Sequence, residues 1–356
     1  MREPRALLAI ALASLLSIAA AGDPREDFKR VYGEYQQHLA ADNEALALPA
    51  AETAYEIGTD LFGAKSLNAA NLALNYAHLL NQSGYYDTAR KVLKGKLKPL
   101  LKKHGKAGQE LLPMYMELGM AHFDAQKPGT AVDHFRKAAE LVVDEENPLY
   151  TARINVDIAS HLIQRRGELV AHEFVDTALS IYKQKLQSDD VRLGMMAFLS
   201  GKFLISDGQF ARARDDLALA IEAFESGENA SVALDARKSM VAALANLGQS
   251  DAATEHCLVI GRALQNQDMP QLPIYRARPD YPRRALRRRL TGNVRLSFTV
   301  TAAGKVDDPE VLASSSDVFD QAALDAIRMY RYAPHFVNGT PVAVDYVEYT
   351  ISFGRP

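Results

Sequence analysis

The chain has 356 residues, 48% of them hydrophobic and 24% charged, which is the composition of a soluble globular protein large enough for two or three domains. Its net charge of −3 excludes the strongly basic class of nucleic-acid-binding proteins and does not favour an anionic membrane as the main partner. A single cysteine, Cys257, excludes an internal disulfide framework, and its apolar neighbours predict a small buried side chain.

Residues 1–21 have the three parts of a secretory signal peptide. Arg2 and Arg5 give a positive start, residues 6–18 form an uncharged apolar run, and the small residues 19–21 form a cleavage pattern. The alternative is a retained membrane anchor, but the run and the small residues together number 16, fewer than the roughly 20 that span a bilayer. The sequence therefore predicts an exported protein whose leader is removed.

Residues 22–268 have helical periodicity and an internal repeat, and residues 23–65 are predicted to form a capping helical pair. Five segments each pair a small residue in a first helix with an alanine in a second helix, and these alanines lie 42, 40, 42 and 40 residues apart. The pairs are Ala77 with Ala89, Gly119 with Ala131, Ala159 with Ala171, Gly201 with Ala213, and Val241 with Ala253. Helices approach closely only where side chains are small, so the spacing predicts packed hairpins. The pattern resembles the tetratricopeptide repeat, which implies a protein-binding scaffold.

The helical pattern stops near residue 268, where a proline-rich stretch predicts an extended linker over residues 269–278. Beyond it the period changes to two, because "GNVRLSFTV" and the terminal "PVAVDYVEYTISF" both alternate apolar and polar side chains. Between them, "DVFDQAALDAIRMY" predicts a helix with one apolar stripe. Residues 279–356 are therefore predicted to form a small antiparallel sheet with a packed helix. The fold class is mainly α, a solenoid of helical hairpins followed by an α+β domain.

The C-terminal region resembles the TonB family C-terminal domain. The segments that carry the resemblance are "PDYPRRA", "GNVRLSFTV", "GKVDDPEVLASSS", "FDQAALDAI", "YRYAPHFVNGTPV" and "VEYTISF". The positions that match the family's motif are Tyr281, Pro282, Gly292, Tyr330, Tyr332, Pro334, Asn338 and Gly339. The residues themselves predict a structural role, in which Tyr330, Tyr332 and Phe336 close the helix against the sheet and Asn338-Gly339 forms a turn.

The resemblance implies that this domain binds the extended N-terminal peptide of an outer-membrane transporter by adding it as a strand to a sheet edge. By position, the predicted edge strand is Val342–Phe353. The candidate partner-peptide-binding residues are Val344, Tyr346, Val347, Glu348, Tyr349, Thr350 and Ile351. The resemblance also implies a place in the periplasm or cell envelope. If the N-terminal run is retained as an inner-membrane anchor, it further implies inner-membrane motor proteins as partners.

The run "RRALRRRL" at residues 283–290 carries five arginines. An exported protein meets little nucleic acid, so no nucleic-acid partner is expected. We predict a solvated face of a short helix, and contact with peptidoglycan or anionic headgroups is the alternative.

Two functions remain open from the sequence. The first is a TonB-like envelope protein that supports transmembrane transport and uses its helical repeats as a protein-binding scaffold. The second is a soluble periplasmic scaffold or assembly protein without energy transduction. An enzyme is not expected, because the sequence has no nucleophile elbow, P-loop or zinc motif, so no catalytic residue, cofactor or metal site is predicted.

Overall fold

The structure, a computed structural model, describes residues 23–105, 108–143, 146–225, 229–265 and 272–354. The predicted signal peptide lies outside the described residues. The chain divides into two compact units, and the boundary between them falls after Val143. Each unit is described by itself.

The first unit consists of three helical hairpins. Two of its helices, for example, begin at capping side chains: the Asp23 carboxylate accepts a hydrogen bond from the Arg25 N–H (3.0 Å), and the Ser66 hydroxyl accepts one from the Ala69 N–H (3.1 Å). The helices are α1 (Pro24–Ala40), α2 (Glu44–Phe62), α3 (Leu67–Gln82), α4 (Tyr86–His104), α5 (Leu112–Asp124) and α6 (Pro128–Glu140). The predicted capping pair corresponds to α1 and α2.

The second unit begins with three more helical hairpins. Their helices are α7 (Pro148–Gln164), α8 (Glu168–Lys185), α9 (Val191–Ser206), α10 (Phe210–Glu225), α11 (Ala230–Asn246) and α12 (Ser250–Leu264). The small-residue pairs of the predicted repeat are buried in both units. At Gly201 a Cβ atom would lie 2.6 Å from Leu217 Cγ, which is the close helix approach that the repeat predicted. The prediction of stacked hairpins is therefore confirmed.

The second unit ends in a small sheet domain. Its elements are β1 (Pro273–Tyr275), α13 (Arg283–Arg288), β2 (Gly292–Val300), β3 (Val306–Ser314), α14 (Asp320–Arg328), β4 (Arg331–Tyr332), β5 (His335–Val337), β6 (Thr340–Val342) and β7 (Val344–Phe353). Three antiparallel strands form the main sheet in the order β3-β2-β7, while β1 pairs with β4 and β5 pairs with β6. The buried face of β2 packs with residues of α14, among them Ala323 and Ile327, so the predicted helix on an antiparallel sheet is confirmed.

The predicted linker, residues 269–278, is in part a strand. Residues 269–271 lie outside the described part of the chain, but Pro273–Tyr275 pairs with Arg331–Tyr332 as β1 with β4. Ala277 is buried in the core of the sheet domain. The prolines allow this pairing because β1 is short and has a single partner strand among the described residues.

The sheet domain packs on the last helical hairpin of its own unit. Val241, Cys257 and Ile260 of α11 and α12 share an apolar cluster with Ile274 and Ala333, among others. Cys257 is fully buried, as the sequence predicted, and burial raises the pKa of its thiol to about 12.

Phe336 takes part in this packing and not in the predicted closure of the helix against the sheet. Its ring lies within 3.0 Å of the position that a Cβ of Gly261 on α12 would occupy, and Arg262 stacks over it at 5.7 Å. Tyr330 and Tyr332, in contrast, are buried in the sheet-domain core, where they were predicted to be. The hairpin β5–β6 therefore contacts α12 through Phe336.

Gly261→Val is expected to detach the sheet domain from α12. A Cβ at this position would lie 2.5 Å from the Pro334 carbonyl oxygen, so the two backbones must move apart, at a cost of about 1–3 kcal/mol. Hydrogen exchange of amides in residues 331–337 should accelerate at least about tenfold. Gly95→Val on the exposed side of α4, where nothing lies within 4 Å, is the matched control. Unchanged exchange in Gly261→Val would contradict the docking role.

Candidate functional site

Strand β7 is an edge of the main sheet. Within the described residues it pairs only with β2, in antiparallel register from Gly292 opposite Phe353 to Val300 opposite Val344. One face of β7 packs into the core, and its side chains become more buried toward the chain terminus. The core-facing residues are Val347, Tyr349, Ile351 and Phe353. The other long side of the strand therefore offers its backbone to solvent.

Hydrogen bonds at both ends of β2 determine which β7 residues turn their backbone groups outward. The Ser315 N–H donates to the Asn293 carbonyl (3.0 Å), and the Thr301 N–H donates to the Lys305 carbonyl (2.9 Å). Odd-numbered residues of β2 thus bond toward β3, so even-numbered ones bond toward β7. Since Leu296 lies opposite Tyr349, the β7 residues that bond to β2 are the odd-numbered ones.

The outward backbone groups therefore belong to Glu348, Thr350 and Ser352, and we call these groups the β7 edge. They amount to three N–H donors and three C=O acceptors. The three side chains are exposed on the outer face of the sheet. Among the described residues, one ion pair lies on this face: Arg295 and Glu348 are 3.9 Å apart with both side chains about half exposed, which leaves the edge open.

A bulge ends the regular edge before Val347. Val347 lies opposite Phe298 and Val344 opposite Val300, so Asp345 and Tyr346 share one position of β2. Tyr346 has φ +57° and is 88% exposed, and the Thr299 hydroxyl donates to the Asp345 carboxylate at 2.8 Å. The bulge explains why Asp345 departs from the apolar alternation.

The opposite edge of the sheet, β3, is protected against pairing. It contains Pro309, which has no N–H to donate, and the exposed acidic residues Asp307, Asp308 and Glu310. Its pairing with β2 is irregular at two places, and at one of them Leu312 is the unpaired extra residue. These are the features by which natural sheets prevent edge-to-edge association.

An aromatic cluster supports β7 from the core side. The rings of Tyr330 and Tyr349 meet edge to face at 5.5 Å, and the Arg276 guanidinium lies 5.6 Å from the Tyr349 ring. Burial raises the pKa of Tyr330 to about 12, so its hydroxyl stays neutral at physiological pH. The cluster holds the middle of the edge strand in place by packing.

The residues of the sequence motif lie away from the β7 edge, in turns and in the core. The Tyr281 hydroxyl donates to the Leu290 carbonyl, and Pro282 precedes α13. Asn338 and Gly339 both have positive φ, as a tight turn between β5 and β6 requires. The other members are in or beside the packed core: Gly292, Tyr330, Tyr332 and Pro334.

The structure divides the seven candidate edge residues by their role. Glu348 and Thr350 present outward backbone groups, whereas Val347, Tyr349 and Ile351 bond to β2. The predicted strand Val342–Phe353 is two elements, since Val342 ends β6 and β7 begins at Val344. Val344 and Tyr346 lie before and within the bulge.

Ser352 was missed by the sequence interpretation. The period of two that includes Glu348 and Thr350 extends to it, so the signal was present.

No metal site was predicted, and in the described ranges no three His, Cys, Asp or Glu side chains form a set of metal ligands. None of the described helices combines the length and the apolar composition needed to cross a bilayer.

Comparison with known proteins identifies relatives of the C-terminal domain. Residues 277–354 match the family described as Gram-negative bacterial TonB protein C-terminal. Protein TonB of Vibrio cholerae is 36% identical over 77 residues, which are 21% of this chain and 32% of that protein. Protein TonB of Pseudomonas aeruginosa is 39% identical over 66 residues, 18% of this chain and 19% of that protein. The chain thus spans less than a third of the length of these relatives.

Solved structures with helical repeats resemble the helical part. A putative kinesin light chain with nearly identical TPR-like repeats from Podosopora anserina is 16% identical with a TM-score of 0.43, and the match covers 58% of this chain and all of that one. The assignment of tetratricopeptide-like hairpins rests on the helix pairs and their buried small residues. The C-terminal sheet domain is of the TonB type.

Proposed function

We propose that this chain, whose C-terminal domain is of the TonB type, binds an extended peptide of an outer-membrane transporter or another envelope protein as an added strand on β7. Through this contact it would support transmembrane transport, with the helical repeats as a protein-binding scaffold. The partner is a protein segment without regular structure of its own, since only an extended chain matches the spacing of a strand.

The observation that carries this proposal is the pair of unequal edges. The β7 edge has six outward backbone groups in regular spacing, while β3 has a proline, three acidic side chains and two irregularities. A peptide of about five residues would satisfy these six groups with its own backbone. Backbone pairing would supply affinity, and the side chains beside the edge would supply selectivity.

Selectivity would come from both faces of β7. Peptide side chains on the outer face would meet Glu348 and Thr350, which favour polar or basic residues. Those on the inner face would meet Tyr349 and the Arg276 side chain that stacks on it. The bulge at Tyr346 would end the paired segment.

Thr350→Pro tests the edge. Proline removes the outward N–H of Thr350 and leaves the ladder to β2 intact, because the bonds to β2 come from Tyr349 and Ile351. Binding of a fluorescent peptide from the N-terminus of a host transporter should weaken at least about tenfold in fluorescence anisotropy. Thr350→Val, which keeps the N–H and the shape and removes only the hydroxyl, should weaken binding far less than Thr350→Pro.

Two further results decide the matter. Ile351→Pro should unfold the sheet, because its N–H bonds to β2 and its side chain is in the core. If Thr350→Pro keeps native circular dichroism and binds the peptide normally, β7 is not the binding edge.

We also propose that the protein is exported to the periplasm. N-terminal sequencing and membrane fractionation in a Gram-negative host test this. A mature chain that starts at Gly22 in the soluble periplasm would favour a scaffold without energy transduction. An intact Met1 in the inner-membrane fraction would favour an energy transducer with motor partners.

A further inference from the structure

The segment Arg276–Arg289 concentrates positive charge within a chain of net charge −3. It contains seven arginines and one acidic residue, Asp280, a net charge of +6. All seven arginines are exposed. The net charge of the whole chain conceals this local positive charge, because the rest of the chain is acidic.

The side chains of five of these arginines make no ion pair or hydrogen bond within the described part of the chain. They are Arg283, Arg284, Arg287, Arg288 and Arg289, on and directly after α13. Elsewhere in the described chain, exposed arginines such as Arg30 and Arg192 pair with nearby carboxylates. The guanidinium groups at α13 thus keep all their donors for an external anion.

Helix α13 is held to the domain by one side. Ala285 is fully buried, and the Tyr281 hydroxyl holds the Leu290 carbonyl just beyond the helix. The backbone positions that carry the outward side chains are therefore fixed relative to the sheet domain.

The arginines cover a broad arc of this helix. At about 100° per residue, Arg283, Arg284, Arg287 and Arg288 span about 140° of the circumference. Leu286 borders this arc and is 49% exposed, although it is a large apolar side chain. We call Arg283, Arg284, Leu286, Arg287, Arg288 and Arg289 the α13 arginine surface.

We propose that the α13 arginine surface binds the surface of a bilayer that contains anionic phospholipids. Guanidinium groups match phosphate oxygens with paired donors, and a convex arc of arginines needs many anions spread over an area. A headgroup layer supplies phosphates in this way, while a single acidic peptide would contact one side of the arc only. Leu286 would enter the acyl boundary among the arginines, as apolar residues do in interfacial helices.

This surface is distinct from the β7 edge. Its residues belong to the segment before β2, and none of them contributes a backbone group to that edge. Membrane contact and peptide pairing can therefore be tested one by one, and failure of either leaves the other standing.

Vesicle sedimentation with the full-length chain tests the proposal. The vesicles contain either phosphatidylcholine alone or phosphatidylcholine with phosphatidylglycerol, so any binding by the N-terminal apolar run appears in both. Wild type should prefer the anionic vesicles, and rising salt should weaken that preference. The triple variant Arg284→Glu/Arg287→Glu/Arg288→Glu should bind anionic vesicles about 100-fold more weakly, from about fivefold per arginine.

The matched control reverses three exposed lysines on α4, Lys91, Lys98 and Lys102, and so changes the net charge by the same amount. It should bind like the wild type, and circular dichroism should show both variants folded. Leu286→Ser, with all charges kept, should weaken binding severalfold if Leu286 enters the bilayer.

Two outcomes would overturn the proposal. One is equal binding of the arginine triple variant and the lysine control to anionic vesicles. The other is that the protein binds polyglutamate as tightly as anionic vesicles while Leu286→Ser leaves vesicle binding unchanged. That result would assign the surface to an acidic polypeptide. Peptide anisotropy on the arginine variant should remain at the wild-type value.

Discussion

Gly304→Ala is expected to lower the free energy of unfolding of the sheet domain by about 3 kcal/mol. Gly304 lies between β2 and β3 with φ +71°, and a Cβ there would lie under 3.0 Å from the Tyr332 carbonyl oxygen. The Tyr332 N–H donates to the Gly304 carbonyl at 2.9 Å, so the two backbones are in direct contact. Alanine would therefore force β4 away from the turn, and with β4 the strand β1 that pairs with it.

Gly339→Ala separates the clash from the backbone strain. Gly339 has φ +77°, close to that of Gly304, but nothing lies within 4 Å of its Cβ position. This control variant should lower the free energy of unfolding by only about 1 kcal/mol. Urea titration, combined with hydrogen exchange of the β2 amides, measures the free energy of unfolding of both variants. An equal loss of stability in the two variants would show that the contact with Tyr332 does not matter.

Acidification from pH 6.5 to about 4 is expected to reduce the free energy of unfolding of the first unit by about 3 kcal/mol. The rings of His122 on α5 and His134 on α6 stack at 5.1 Å, and neither nitrogen of His122 has a hydrogen-bond partner among the described residues. Burial, and then nearby positive groups, lowers the pKa of each to about 4. The facing charged groups are Arg90, Lys94, Lys127, Asp133 and Lys137.

The sign follows from proton uptake. Between the usual pKa of about 6.5 and the lowered one, the unfolded chain binds these protons and the folded chain does not. The stabilisation is complete above pH 6.5 and is lost as pH falls toward 4, by about 1.4 kcal/mol per unit for each group at most. The two groups are coupled and partly hydrated, which reduces the total.

Phenylalanine variants check this prediction. His122→Phe and His134→Phe keep the stacked rings without a titrating group, so each should reduce the pH dependence of urea unfolding by about half, as measured by exchange of α5 and α6 amides. His38→Gln, near the end of α1, is the control and should leave it unchanged. The same pH dependence in all variants would exclude the histidine pair as its cause.

Local patterns were enough for the elements and for the fold class. The small-residue pairs of the repeat lie at the buried helix contacts, because close approach needs small side chains at a constant spacing. The apolar and polar residues that alternate in the sequence of β2 are the buried and exposed side chains of that strand, and Asn338-Gly339 forms a turn as predicted. These features depend on residues a few positions apart.

The candidate site was predictable only in part. The terminal strand was correctly recognised, and Glu348 and Thr350 offer outward backbone groups. The sequence could not assign hydrogen-bonding direction along β7, because that direction depends on how β2 bonds to β3. The bulge at Tyr346 arises from the register with β2 and has no local signature apart from the misplaced Asp345.

The sequence by itself determined the helical hairpins, the two-residue period of the terminal domain and the density of arginine before β2. Tertiary structure alone decided that β7 is open while β3 is protected, that the proline-rich segment forms β1, and that Phe336 packs on α12. The physical reason is the separation in sequence of the interacting residues. Helix and turn preferences arise from neighbouring residues, whereas strand order and docking depend on contacts between residues far apart in the chain, such as Gly261 and Pro334.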